Sequence, residues 1–199
     1  MSNCGQRLEG SFVIDYQKIA DSVSFFEAAG YTRIEAPWWV SAEISQITKP
    51  KDAYPDYYIP ENRKCLVASG EQSLLYTANK GRLPKGKWFT VTPCFRNESI
   101  GILSKKCFIK TELMITDEVN QEVLKKIITD AHSFFKKQVP NEEYLTVVDT
   151  AEGYDITYDG IEVGSYGIRS CEFLDWVYGT GCAEPRLSRA INISTKKRK

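Results

Sequence analysis

The stretch that most constrains this chain is Val91–Glu112, VTPCFRNESIGILSKKCFIKTE. Aromatic and β-branched residues run from Phe89 and Val91 into Phe95, and again from Phe108 and Ile109 to Met114, which is strand composition. Between them Ser99, Gly101, Ser104, Lys105 and Lys106 make a polar loop. The pattern predicts an antiparallel pair with Arg96 and Glu98, two apart, on one face. An arginine there offers a planar fork to a phosphate. A glutamate can accept from an exocyclic amine, and Phe108 can stack on a base. Taken alone, the same residues read as a surface hairpin whose charges are worth little.

A second stretch lies far downstream: Tyr178–Arg189, YGTGCAEPRLSR. Gly179 and Gly181 allow close backbone approach to a ligand. Pro185 suits the first turn of a helix carrying Leu187 and Ile191, which would place Arg186 at the helix start, near the glycines. By itself this is a turn before a helix.

Residues 1–11 lack periodicity and are expected to be a loose lead-in. Ile14–Ala29 reads as a helix with Ile19, Val23 and Phe26 on one stripe, Asp15 near its start and Gly30 as its stop. Tyr31–Glu35 alternates like a strand, closed by Pro37. Residues 41–62 read as loop, with Pro50, Pro55, Pro60 and the tyrosines 54, 57 and 58; such a cluster can line a pocket or simply pack. A short strand at Cys65–Ala68 and a helix beginning at Ser73 follow. Gln121–Val139 is the clearest helix: Leu124, Ile127, Ile128, Ala131 and Phe135 form its apolar stripe, and four lysines its wet face. Strands are expected at Tyr144–Val148, Tyr154–Tyr158 and Ile161–Tyr166, the last two joined by an Asp159-Gly160 hairpin turn. The sum is one α+β domain: an antiparallel β-sheet of about six strands flanked by helices, all on one side.

At 199 residues one domain is expected, with enough chain to bury a core. The formal charge is zero, but the last four residues are basic. The remainder holds 22 basic residues against 26 acidic, so no basic nucleic-acid face is advertised. Six cysteines stand without a CxxC pair, and His132 is the one histidine; zinc-site spacing is missing, though scattered thiols leave one open. Free thiols, no signal peptide and no membrane-length apolar run point to a cytoplasmic protein.

Together the two stretches resemble motifs 2 and 3 of the class II aminoacyl-tRNA synthetases, most closely the seryl, prolyl and threonyl subgroup. TPCFRNE, FIKTE, and GTGCA before Arg186 carry that likeness. GYTRIEAP, residues 30–37, resembles motif 1 with its strand-end proline at Pro37. Ala68-Ser-Gly-Glu71 is similar to the family's Thr-x-Glu substrate loop. Ile161-Glu-Val-Gly-Ser165 is similar to the late strand whose acidic residue meets magnesium. The five elements occur in the family's order across residues 12–193, leaving 194–199 as a basic tail.

The resemblance implies ATP-dependent, adenylate-forming activation of an amino acid, with transfer to tRNA, a carrier protein or another acceptor. It assigns Arg96 to the α-phosphate and the substrate carboxylate, and Glu98 to the adenine amino group. Phe108 and Arg186 would sandwich the adenine, Arg186 also reaching the γ-phosphate, beside Gly179 and Gly181. Glu162 and Ser165 would hold Mg2+. Glu71 would take the substrate amino group, and Lys110 and Glu112 would face its side chain. A homodimer joined through residues 12–40 is implied, with Trp38-Trp39-Val40 as a candidate interface core. The chemistry needs no general base, because the attacking carboxylate is already ionised; it needs fixed positive charge.

The sequence also departs from the family pattern. Ser104 stands where seryl-type loops often carry an arginine, and Lys105 or Lys106 is a point charge, not a fork. Pro185 takes the glutamate-like position before the motif 3 arginine. No segment is left for an anticodon-binding domain, which suggests a stand-alone homologue or a truncated synthetase relying on another tRNA-binding subunit. Two alternatives stay open: a non-catalytic paralogue acting as a regulatory or nucleic-acid-binding subunit, and a ligase making a small amide, as in the asparagine synthetase relative. Retention of Arg96, Glu98, Phe108, Glu162 and Arg186 together favours catalysis.

Overall fold

The computed structural model of the chain describes residues 13–50, 53, 55–97, 101, 103 and 105–198. The first helix, α1 (Tyr16–Ala28), starts at Asp15, whose side chain accepts from the backbone N–H groups of Gln17 and Lys18; it buries Ile19 and Phe26. Gly30, at φ +86, turns the chain into the two-residue strand β1 (Thr32–Arg33). Residues 41–62 are not wholly the loop that their prolines suggested, while the short strand expected at Cys65–Ala68 overlaps an observed one. The segment 39–66 holds β2 (Trp39–Ser41), α2 (Ala42–Ile47), β3 (Tyr58–Ile59) and β4 (Lys64–Leu66), the strands forming a small sheet in the order β2-β4-β3.

Then come α3 (Gly70–Asn79), β5 (Lys87–Phe95), β6 (Cys107–Ile115) and α4 (Gln121–Gln138). Asn120 caps α4 by accepting from Val123 N–H, and its apolar stripe is buried as the periodicity predicts. The chain ends with β7 (Leu145–Thr150), β8 (Gly153–Tyr158), β9 (Ile161–Cys171), β10 (Leu174–Glu184) and α5 (Arg186–Lys197). Asp159 (φ 51) and Gly160 (φ 77) form the left-handed two-residue turn expected between β8 and β9.

The main sheet has seven strands, one more than expected, in the order β1-β5-β6-β10-β9-β8-β7. Six are antiparallel; the seventh is β1, which pairs with β5 in parallel through Thr32↔Trp88 and Arg33↔Phe89. β1 falls within the Tyr31–Glu35 stretch whose alternation marked a strand; the strand not expected is β10, whose glycines read as a turn.

Helices lie on both sides of the sheet, not one, and the period of two along β6 shows why. Thr111 and Leu113 point to α1: Ser22 Oγ lies 2.7 Å from Thr111 Oγ1. Glu112 and Met114 point to the other face. There α3 presses so close that a Cβ on Gly70 would stand 2.8 Å from Glu112 Cβ. α1 and α4 bury one face with Phe26, Ile127, Phe134 and Phe135. α2 and α3 cover part of the other with Ile44, Leu74 and Leu75, against Met114, Trp176 and Tyr178. The rest of that second face is the floor of a cleft. Among the described residues no helix is long and apolar enough to cross a membrane.

Candidate active site

The cleft holds two cavities, of about 250 and 460 Å³, that share Arg96, Lys110 and Ser165 as lining. Arg96 follows the last residue of β5, and its N–H donates to the Lys106 carbonyl at 3.0 Å, which extends the β5–β6 ladder by one rung. Its Nε donates to the Ala68 carbonyl at 3.1 Å, and its guanidinium stacks on the Phe108 ring at 5.1 Å. These two contacts orient the fork toward the cleft, and no hydrogen bond from its terminal nitrogens is seen among the described residues.

The smaller cavity is walled by Phe108 from β6, Glu162 and Ser165 from β9, and Arg186 from the first turn of α5. Arg186 stands at the helix start, as the sequence indicated. Its guanidinium donates to Glu162 at 3.0 Å, with both side chains partly solvated. Ser165 N–H donates to Thr180 Oγ1 at 3.3 Å, tying β9 to β10 at the cavity floor. Asp155 lies across the β8–β9 ladder from Ser165; burial raises its carboxyl pKa, opposed by a hydrogen bond from Ser165.

The larger cavity contains the buried acids. Ser69 caps α3 by accepting from Glu71 N–H and donates its own proton to Glu112 Oε2 at 3.0 Å. Lys110 Nζ stands 2.9 Å from the same Glu112 oxygen. Glu112 Oε1 is buried with no hydrogen-bond partner among the described residues, an orphan acceptor of the kind that a ligand donor relieves. Glu71 is fully engaged: Trp176 Nε1 donates to one oxygen and Arg169 Nη1 to the other, each at 2.7 Å. Burial pushes the Glu71 carboxyl up; Arg169 pulls it down, and Glu112 adds to the rise. Below these groups sits the Cys94 thiol, buried and pushed up to about 11 by desolvation.

The structure thus brings Arg96, Phe108, Lys110, Glu162, Ser165 and Arg186 to one cavity, and Glu71, Lys110 and Glu112 to its neighbour. Glu98 and Ser104 lie outside the described residues. Gly179 and Gly181 are placed differently from the expected turn: both lie within β10, in the middle of the sheet. A Cβ on Gly179 would meet the Tyr166 ring at 2.5 Å, and one on Gly181 the Phe26 ring at 2.7 Å. Gly181 is also where the β10–β6 register slips. On that side the glycines make room for core aromatics.

Several cleft residues escaped the sequence reading. Arg169, with Tyr178 under its guanidinium at 4.1 Å, is one. Extending the alternation of β9 past Tyr166 would have found it, since Ser165 and Arg169 fall on one face. Asp56 is another: Lys49, Ser45 and Gln46 all bind its carboxylate at the outer wall of the larger cavity. Among the described residues no cluster of three or more His, Cys, Asp or Glu forms a metal cage, and the five cysteines seen are all free.

No family model and no curated protein matches the chain. Solved structures do. A pyrrolysyl-tRNA synthetase from Desulfitobacterium hafniense superposes with a TM-score of 0.68 at 16% identity, over 91% of this chain and 69% of that one. A seryl-tRNA synthetase from Pyrococcus horikoshii complexed with ATP superposes with a TM-score of 0.71 at 19% identity, over 89% of this chain and 50% of that one. The chain therefore spans half the length of the seryl enzyme. The fold is the one that this chain shares with those two synthetase structures.

Proposed function

We propose that this chain activates an amino acid with ATP. The amino-acid carboxylate displaces pyrophosphate from the α-phosphorus, and the resulting aminoacyl adenylate is passed to tRNA, a carrier protein or another acceptor. What supports this reading is the shared wall: ligands in the two cavities meet at Arg96, Lys110 and Ser165. The chemistry is to bring two anions together and to neutralise charge growing on phosphorus oxygens. Arg96, oriented by Ala68 and Phe108, offers one fork to both anions. The smaller cavity takes the nucleotide, with Phe108 and Arg186 flanking the adenine, Glu98 accepting from its amino group, and the Gly179–Gly181 stretch of β10 beneath. The larger takes the amino acid, against Glu71, Lys110 and Glu112.

Glu162 and Ser165 would hold Mg2+. Both are oxygen donors on the smaller cavity, and Glu162 already holds a cation, the Arg186 guanidinium, at 3.0 Å; the set fits a hard ion that brings waters and phosphates as its other ligands. Bound there, the ion would offset phosphate charge. The seryl comparison, a synthetase complexed with ATP, supports the nucleotide assignment. A homodimer through residues 12–40 belongs to the same reading, supported by the exposure of Val13, Tyr16, Trp38 and Trp39.

The test is exchange of labelled pyrophosphate into ATP with each of the twenty amino acids. One or a few are expected to support exchange. Arg96→Ala should reduce it by roughly a hundred- to a thousandfold, about 3–4 kcal/mol, without lowering the melting temperature, because Arg96 faces the cleft. Near-full activity in that variant would remove Arg96 from the reaction. ATP binding without any exchange would establish the second reading, a non-catalytic nucleotide-binding paralogue. The occupation of both Glu71 oxygens by protein donors favours that alternative.

A further inference from the structure

Arg169 has no role in the resemblance, yet it occupies the inner end of the larger cavity. Its guanidinium lies on Tyr178 at 4.1 Å, donates from Nη1 to Glu71 at 2.7 Å, and from Nη2 to Glu152 at 3.1 Å. Ring and carboxylates hold the planar fork in one orientation, so binding a ligand costs it little further freedom. Five N–H groups leave a guanidinium with donors to spare after two such bonds.

The charges around it are what discriminate. One guanidinium faces two carboxylates, Glu71 and Glu152. Elsewhere in the chamber Lys110 is matched to Glu112 and Lys49 to Asp56, and the Arg96 guanidinium, also in the wall, is taken up in the activation reading by the substrate α-carboxylate and the phosphate. A further carboxylate entering at Arg169 meets net negative charge in a partly dry site, where repulsion is stronger than in water. A neutral oxygen can accept from the spare donors without that repulsion. An apolar group would cover those donors and leave them unpaired.

We propose that Arg169 is a specificity-determining residue that selects an amino acid whose side chain ends in an uncharged hydrogen-bond acceptor, and that Glu152, from the β7–β8 turn, turns away acidic side chains of the same shape. The proposal rests on the amino-acid-activation reading. It predicts a carboxamide or hydroxyl substrate, and it makes Glu152, which is largely exposed and outside the chamber, a selectivity residue.

Pyrophosphate exchange with isosteric sets tests it: Asn, Asp and Leu; Gln, Glu and Met; Thr and Val. Within the set the enzyme uses, the amide or hydroxyl member should lead in kcat/KM. Glu152→Gln should raise the acid-to-amide ratio by about three- to tenfold, since screening limits an exposed charge. Arg169→Met should lower the polar-to-apolar ratio by at least about tenfold. Arg169→Lys, which keeps the charge but not the fork, should fall between. Each ratio compares two substrates on one protein sample, so it is blind to how much of the variant is folded. Should Arg169→Met not fold, because it leaves Glu71 buried without its cation, Glu152→Gln decides. A wild type that prefers the acidic or apolar member, or a Glu152→Gln ratio that does not move, overturns the proposal while leaving activation intact. Absence of exchange with every amino acid removes the activation reading, and this inference with it.

Discussion

Arg186 donates to the Glu162 carboxylate at 3.0 Å across the mouth of the smaller cavity. In the proposed function the first of these residues meets the nucleotide and the second its metal ion, and here each holds the other. ATP that takes the Nη1 side of the Arg186 fork competes with Glu162 for it. Glu162→Gln removes that competitor, so ATP binding measured by calorimetry in EDTA should tighten. The gain is limited to about fivefold, because a half-solvated pair is worth up to about 1 kcal/mol. Added magnesium should strengthen binding less in the variant than in the wild type. An unchanged affinity in EDTA would show that the pair does not compete with nucleotide.

Gly179→Ala places a methyl 2.5 Å from Tyr166 Cδ1 and 3.2 Å from Ile127 Cδ1. The Tyr166 ring cannot retreat freely, since it is buried and its hydroxyl donates to the Thr180 carbonyl at 2.7 Å. Overpacking of this kind costs about 1–3 kcal/mol, to be read from the urea midpoint. Gly160→Ala is the comparison: no atom lies within 4 Å of its added Cβ, and only the positive φ of +77 opposes it. Normal stability of Gly179→Ala with lost ATP binding would instead put that glycine against the nucleotide.

The Cys94 thiol sets an alkaline limit on stability. Its pKa is raised by burial from 9.0 to about 11. Between those values the unfolded chain has released this proton and the folded chain has not, so unfolding becomes easier as pH rises. The contribution is complete below pH 9 and lost by pH 11. Cys182 and Tyr166 are shifted in the same direction by the same cause. Cys94→Ala should therefore flatten, but not abolish, the decline of the urea midpoint between pH 9 and 11. An identical slope in the variant would mean that Cys94 does not carry it.

The homodimer reading rests on apolar residues left in solvent: Val13 at 74%, Tyr16 at 67% and Trp38 at 55% exposure, all within the expected interface segment. Light scattering at micromolar concentration should give twice the 22.6 kDa of one chain. Trp38→Glu should return it to a single chain's mass. A wild type that scatters as one chain removes the dimer.

Some of this protein was readable from local pattern. The α4 stripe and the Asp159-Gly160 turn are set by residues within a few positions of one another, and β5 and β6 each by its own composition, where period and turn chemistry act directly. Other elements were not. β10 is buried on both faces from Trp176 to Glu184, so it lacks the apolar–polar alternation that marks a strand, and its two glycines read as a turn. In the small sheet of 39–66 the sequence marked the stretch around β4, at Cys65–Ala68, but not β2 and β3, whose two or three residues are shorter than one period can reveal.

The site divides in the same way. By itself the sequence determined which residue types the cleft would carry: Arg96 at a strand end, Phe108 and Lys110 two apart on β6, Arg186 opening a helix. Only the tertiary structure decided which charges meet. Glu71 and Arg169 are 98 positions apart, and Glu162 and Arg186 are 24 apart. Their pairing depends on β9 lying beside β10 and on α3 pressing onto β6. That packing is fixed by buried surface spread over the whole domain, and no local spacing encodes it.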